Sequence, residues 1–291
     1  MINRTRMVSP LIGLILLELT TSVSFQCPGG RQNIGSDLPY DFSNPNQVFD
    51  LPRELNEISG LGLLDSLRLI AVQDERSIIY VLRVVDGTLE RKVDFGRSGD
   101  FEGIESVGTS VFILRSDGDL FILKNWKSDK PDRVHISTRL SSRYDAEGLA
   151  YDPATNKLLI LCKEYPGKGY GESRAVYAFD LLTEKISEEP LLLISGDSLS
   201  RRAAGEPFKF SRFKPAGVAV HPISGNYYMV SSRDRRLVVI DRNGRIISTL
   251  VLNHKRIRQP EGLAFLGNGD LFLASEAAGG RAALLRFNYM R

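Results

Sequence analysis

Ala146-Glu147-Gly148-Leu149-Ala150 is a short phrase that the chain repeats with small changes. It returns as Pro215-Ala216-Gly217-Val218-Ala219 and Pro260-Glu261-Gly262-Leu263-Ala264, and in looser form as Glu57-Ile58-Ser59-Gly60-Leu61 and Phe101-Glu102-Gly103-Ile104. Aligned on the residue before the glycine, the copies stand at Ser59, Glu102, Glu147, Ala216 and Glu261, with steps of 43, 45, 69 and 45 residues. The long step holds one ordinary unit plus an insertion of about two dozen residues. A fixed period of this length marks a repeat architecture in which each unit is one supersecondary motif.

Every copy opens an apolar run and is followed, after a turn, by a second: Leu69 to Val72, Val111 to Leu114, Leu158 to Leu161, Tyr227 to Val230 and Leu271 to Ala274. Third runs follow at Ile78 to Leu82, Leu120 to Leu123, Ala175 to Phe179, Leu237 to Ile240 and Ala283 to Phe287, with fourth runs such as Leu89 to Phe95 and Ile246 to Leu252. Four short strands per unit of 40 to 50 residues is the pattern of a propeller blade. The last unit ends with its third run, while Val48 to Leu51 precedes the first unit with no local partner. Joining that orphan to the last unit removes an open sheet edge. Residues 47–291 therefore read as an all-β, five-bladed β-propeller closed by an N-terminal strand.

Composition sets the outer limits. The 291 residues are 42% hydrophobic and 25% charged, enough to bury a large core and too polar for a multi-span membrane protein. Thirty-eight basic against 35 acidic residues give no electrostatic case for nucleic acid as a partner. Two cysteines and three scattered histidines supply neither a disulfide framework nor a usual zinc set. A monomer is expected.

Residues 1–27 have the order of an export segment: Arg4 and Arg6, an apolar stretch from Val8 to Leu19, then small and polar residues up to Cys27. A cleaved signal, a lipid anchor on Cys27 and an uncleaved membrane anchor all remain open, although Glu18 disfavours a spanning helix. Residues 28–46, rich in Gly, Pro, Asn and Ser, read as a flexible linker. The expected location is the periplasm or cell envelope, with a tether to the membrane through the N-terminus or Cys27.

In an antiparallel blade the start of the first strand and the end of the second share one face, here called the upper face. Glu102, Glu147 and Glu261 start inner strands there, beside the central channel. Asp74, Glu75, Glu164, Asp234 and Glu276 end second strands slightly farther out and form the expected ligand-binding set. Carboxylates that converge raise one another's pKa, so a cation between them is a simple solution. An all-oxygen set assembled from different blades favours Ca²⁺, with Mg²⁺ open if waters complete the shell. The alternative is that each glutamate accepts main-chain hydrogen bonds and staples blade to blade. Two longer segments overhang this face: Glu164 to Arg174, and the insertion Ser195 to Lys214 with five basic residues and Phe208, Phe210 and Phe213. The insertion is either a basic, aromatic lid or a solvated loop paired with its own acids. His221 reads as a turn residue on the opposite face, and Trp126 as packing.

With Glu57-Ile58-Ser59-Gly60-Leu61, Phe101 to Glu105, Ala146 to Asp152 and Pro260 to Ala264 assembled, the chain resembles the SdiA-regulated family of bacterial envelope proteins. The resemblance implies a five-bladed propeller with a calcium site, distantly related to propellers of the NHL, phytase and lactonase types, and it names no activity. Carried over by position, the metal ligands are Glu102, Glu147 and Glu261. Blade four departs with Ala216, and blade one offers Ser59 with Glu57 two residues earlier. The resulting expectation is an exported calcium-binding propeller that recognises a small ligand or protein partner on its upper face, more a binding protein than an enzyme. The alternative is a calcium-dependent hydrolase of phosphate esters or lactones, with Glu164 or Glu276 as base.

Overall fold

The computed structural model describes Met1 and residues 38–290, apart from 129 and 204–207. The expected signal or anchor, residues 2–27, lies outside the described residues, as does the expected linker up to residue 37. Five antiparallel sheets form the blades of a propeller. Blade one is Ile58–Asp65, Arg68–Gln73, Ile78–Arg83 and Leu89–Asp94. Blade two is Phe101–Val107, Ser110–Arg115, Leu120–Lys124 and Asp132–Ile136. Blade three is Ala146–Asp152, Lys157–Cys162 and Ser173–Asp180, with an outer edge split into Lys185–Ile186 and Leu192–Ser195. Blade four is Pro215–Val220, Tyr227–Ser231, Arg236–Ile240 and Ile246–Val251. Blade five is Pro260–Phe265, Leu271–Ser275 and Ala283–Phe287, completed by Gln47–Asp50.

The closing strand runs antiparallel to Ala283–Phe287 in the register Gln47 to Arg286 through Asp50 to Ala283. Main-chain bonds from Asn46 to Arg286 (2.8 Å) and from Leu51 to Ala282 (3.0 Å) extend the pairing at both ends. The fourth strand of blade five thus comes from residues more than 230 positions away in the chain.

Middle strands such as Leu158-Leu159-Ile160-Leu161 are apolar on both faces because both are covered. The core is accordingly divided into five buried apolar clusters, one between each pair of neighbouring blades. Residues 38–46 belong to this packing, which corrects the part of the expected flexible linker that the structure describes. Tyr40 and Phe42 are buried against blades four and five, and Met290 N–H bonds the Pro39 carbonyl at 2.9 Å. Two aromatic rings in a polar stretch outweigh its loop-like composition, because each removes a large apolar area from water.

The glycine of the repeated phrase has a steric role. A Cβ on Gly60 would come within 2.9 Å of Gly103 Cα, on Gly103 within 2.6 Å of Leu149 Cβ, and on Gly148 within 3.0 Å of Val218 Cγ1. On Gly217 it would come within 2.0 Å of the Glu261 carbonyl oxygen, and on Gly262 within 2.6 Å of Leu61 Cβ. Each glycine thus meets the next blade around the axis, and the five inner strands pack closer than any side chain permits.

Candidate functional site

The residue before each of these glycines sits in a β-bulge. Register shifts at Ile58/Gly60, Phe101/Gly103, Ala146/Gly148, Pro215/Gly217 and Pro260/Gly262 leave Ser59, Glu102, Glu147, Ala216 and Glu261 without a cross-strand partner. A bulge re-aims its extra side chain out of the pleat. Here it presents one position per blade at the upper mouth of the channel, three of them glutamates.

These three are brought together. Glu147 and Glu261 are buried. Burial pushes the carboxyl of Glu102 up, with Glu147, Asp100 and Glu261 adding to the rise. Glu261 is raised by burial and then by Glu147 and Glu276. Glu147 is raised by burial, an effect partly offset by Lys163, whose ammonium bonds Glu147 Oε1 and stands 3.4 Å from Asp145. Burial alone would lower the Lys163 pKa, but Glu147, Asp145 and Glu102 more than offset it and hold the ammonium charged. Glu276 is pushed up to about 7 by burial, then by Asp74 and Glu57. Asp74 is raised by burial and then by Glu57, and its Oδ1 is shielded from water with no hydrogen-bond partner among the described residues.

Three expected ligand residues are not drawn into this group. Glu164 is paired with the Lys214 ammonium. Asp234 accepts from Ser231 Oγ and lies 3.3 Å from Arg236 Nε. Glu75 is exposed. The insertion brings Lys214 to Glu164, while its helix, Gly196–Arg202, reaches the outer strand of blade four, where Arg202 Nε donates to the Ile247 carbonyl at 2.8 Å. Phe213 is buried between blades three and four, and Arg174 lies over the Phe210 ring at 4.8 Å.

Sequence reasoning missed Asp100, Asp145 and Lys163, although the repeat contains their signal. Two residues before the bulge position, the five copies read Glu57, Asp100, Asp145, Lys214 and Gln259. The residue after the second strand reads Asp74, Ser116, Lys163, Ser232 and Glu276. Together with the bulge positions these three rings hold eight carboxylates and two lysines.

Among the described residues none of the three glutamates accepts a main-chain hydrogen bond, so the contacts that staple the blades there are others. Phe101 N–H bonds the Asp74 carbonyl at 3.0 Å, Ala146 N–H bonds the Ser116 carbonyl at 2.8 Å, and Ser59 Oγ donates to the Phe101 carbonyl at 2.6 Å. Beneath the carboxylates, a void of about 10 Å³ is lined by Ser59, Glu102, Ala216, Glu261 and the glycine ring. That is the space of one water or one ion. As the side chains stand, no three His, Cys, Asp or Glu among the described residues are grouped to hold a metal. The donor chemistry nevertheless fits a hard cation: all-oxygen ligands, a large excess of carboxylates, a shielded unpartnered Asp74 oxygen and a single-ion void.

Fold and mouth together define the class, a five-bladed propeller with an acidic channel opening. The SdiA-regulated family model matches residues 51–278, and the chain belongs to that family. No curated protein sequence matches it significantly. Among solved structures it is similar to a glutaminyl cyclase from Myxococcus xanthus, at 15% identity and TM-score 0.55, covering 84% of this chain and 95% of that one. A luciferin-regenerating enzyme matches at 13% identity and TM-score 0.53, covering 84% and 95%. The PQQ-bound aldose sugar dehydrogenase of Streptomyces coelicolor matches at 14% and 0.50, covering 84% and 99%. At such identities the likeness is one of fold.

Proposed function

We propose that this protein is an exported calcium-binding propeller that recognises a small ligand or a protein partner across its upper face. The observation that carries the reading is the crowding of Glu102, Glu147 and Glu261 beside a one-ion void that Glu102 and Glu261 line, with no main-chain N–H among the described residues donating to their carboxyls. Glu102 and Glu261 line the void and would hold the ion, with Glu147 beside them and Glu57 farther out. The bound cation supplies positive charge that lets these carboxylates stay ionised together. Lys163 holds Glu147 and Asp145 on one side of the mouth, so the other side carries the larger uncompensated charge. The glycine ring leaves no room for a bulky molecule in the channel, so a ligand lies over the mouth, against Glu276, Asp74 and the Glu164–Lys214 pair.

Export rests on the sequence of residues 1–27. Among the described residues no helix is long and apolar enough to cross a membrane. Calcium titration of the chelator-treated chain, followed by calorimetry, is the test. Saturable binding abolished in Glu102→Gln and Glu261→Gln and retained in Asp234→Asn is expected, because Asp234 is committed to Arg236 and Ser231. Binding that survives both glutamine variants contradicts the site.

A further inference from the structure

The opposite end of the channel has a different character. Where the inner strands end, all five blades line a half-open cavity of about 410 Å³. That volume is in the range of small-molecule sites, and like them its wall is mainly apolar. Leu63, Ala219, Val220, Ile223, Leu263 and Phe265 supply most of that wall.

Two of its polar residues are already committed. Arg242 donates from both terminal nitrogens to Asp152 at 2.8 Å each and lies over the Tyr227 ring at 5.5 Å, so its charge is neutralised in place. His221 Nδ1 accepts from the Ile223 and Ser224 main-chain N–H groups at 3.2 and 3.0 Å. Its proton is therefore on Nε2, which meets Tyr40 Oη at 2.8 Å, and Tyr40 in turn donates to the Gly269 carbonyl at 2.6 Å. Burial lowers the His221 pKa, which keeps the ring neutral.

Glu105 is different. It stands on the inner strand of blade two, three residues below Glu102, and lines the cavity. Its Oε2 accepts from the Tyr151 N–H at 3.2 Å and its Oε1 from the Ser106 N–H at 3.3 Å, so the carboxyl is fixed in direction. No lysine or arginine among the described residues pairs with it. Two weakly held main-chain donors leave acceptor capacity on both oxygens. A carboxylate in an apolar cavity without a counter-ion is costly, and a ligand that brings the missing charge gains what the protein lacks.

We infer that this lower cavity is a second binding site, for a small organic amine whose ammonium group pairs with Glu105 while its apolar body fills the cavity. Burial raises the Glu105 carboxyl to about 8 in the empty cavity, so pairing with the ammonium releases its proton, and amine binding is expected to tighten as the pH rises towards that value. The site is separated from the upper mouth by the glycine ring, so the two can be loaded independently.

The test is an NMR or calorimetric titration of the full chain with phenethylamine, with 2-phenylethanol as its neutral counterpart. Saturable phenethylamine binding is expected, at least tenfold tighter than the alcohol and weakened at least tenfold in Glu105→Gln. A second variant, Ala154→Trp, places a large ring at the exposed rim without touching the core and is expected to block both compounds. Should Glu105→Gln fail to fold, Ala154→Trp still decides whether the cavity is the site. No saturable phenethylamine binding to the folded protein, equal affinity for the alcohol, or full affinity in either folded variant overturns the inference.

Discussion

The two mouths of the channel are built from the same five strands and have opposite chemistry. At the upper mouth a bulge in each strand turns one side chain towards the axis, and the following glycine presses the strands together. Charge is concentrated there and space is removed. At the lower mouth the strand ends line a half-open, mainly apolar cavity in which, among the described residues, the Glu105 carboxyl stands without a cation. One repeated strand can thus carry charge at one end and an apolar wall at the other.

The comparison breaks most readily at the glycines. Gly217→Ala forces a Cβ to within 2.0 Å of the Glu261 carbonyl oxygen, backbone against side chain with nothing flexible to yield. A loss of about 3 kcal/mol, or about 10 °C in melting temperature, is expected. Gly267→Ala, at the lower mouth with nothing within 4 Å, is expected to leave the melting temperature nearly unchanged. Equal effects of the two changes would remove the steric account of the repeat.

pH sharpens the comparison at a smaller scale. Glu102, Glu147, Glu261, Glu276, Asp74 and Glu105 all hold their protons more tightly in the folded than in the unfolded chain. Such groups contribute stability at low pH that is lost as the pH rises through their unfolded values of about 4 and on towards their folded ones. For Glu276 that window ends near 7 and for Glu105 near 8. In chelator, the melting temperature is expected to fall by about 3 °C or more between pH 5 and 8. Calcium is expected to flatten the share owed to the upper ring and leave the share owed to Glu105. A slope that calcium does not change would separate the acidic ring from metal binding.

Lys163 gives the finest distinction. It is the lysine of the rings that is bonded to Glu147 and close to Asp145. Lys163→Met removes a competitor for the same carboxylates, so calcium is expected to bind about tenfold more tightly while the calcium-free protein becomes less stable. Weaker calcium binding in this variant would show that Lys163 positions the ligands instead of competing with the ion.

Period and alternation made the fold readable from sequence: five copies of one phrase, three or four runs after each, and an orphan strand at Val48 that pairs as the open edge required. Glu102, Glu147 and Glu261 were readable because they occupy one column of the repeat. Lys163, Asp100 and Asp145 occupy columns too, but their identities vary between copies, so only the register of the second strand against the first reveals them. Glu164 and Asp234 stand one and two residues past the ends-of-strand positions Lys163 and Ser232, and Glu164 pairs with Lys214. Tyr40 and Phe42 were hidden because packing against blades four and five is a long-range fact that local composition does not carry. The lower cavity had no sequence signature, since its walls are ordinary strand ends brought together only by the ring.

The most direct test of the central claim, that the bulge glutamates form a cation site, is the calorimetric titration of the chelator-treated chain with calcium beside its Glu102→Gln variant. The account predicts one saturable event with release of protons, because raised carboxyls must ionise to receive the ion, and its disappearance in the variant. An unchanged isotherm in the variant, or no binding to the folded wild-type chain, would contradict it.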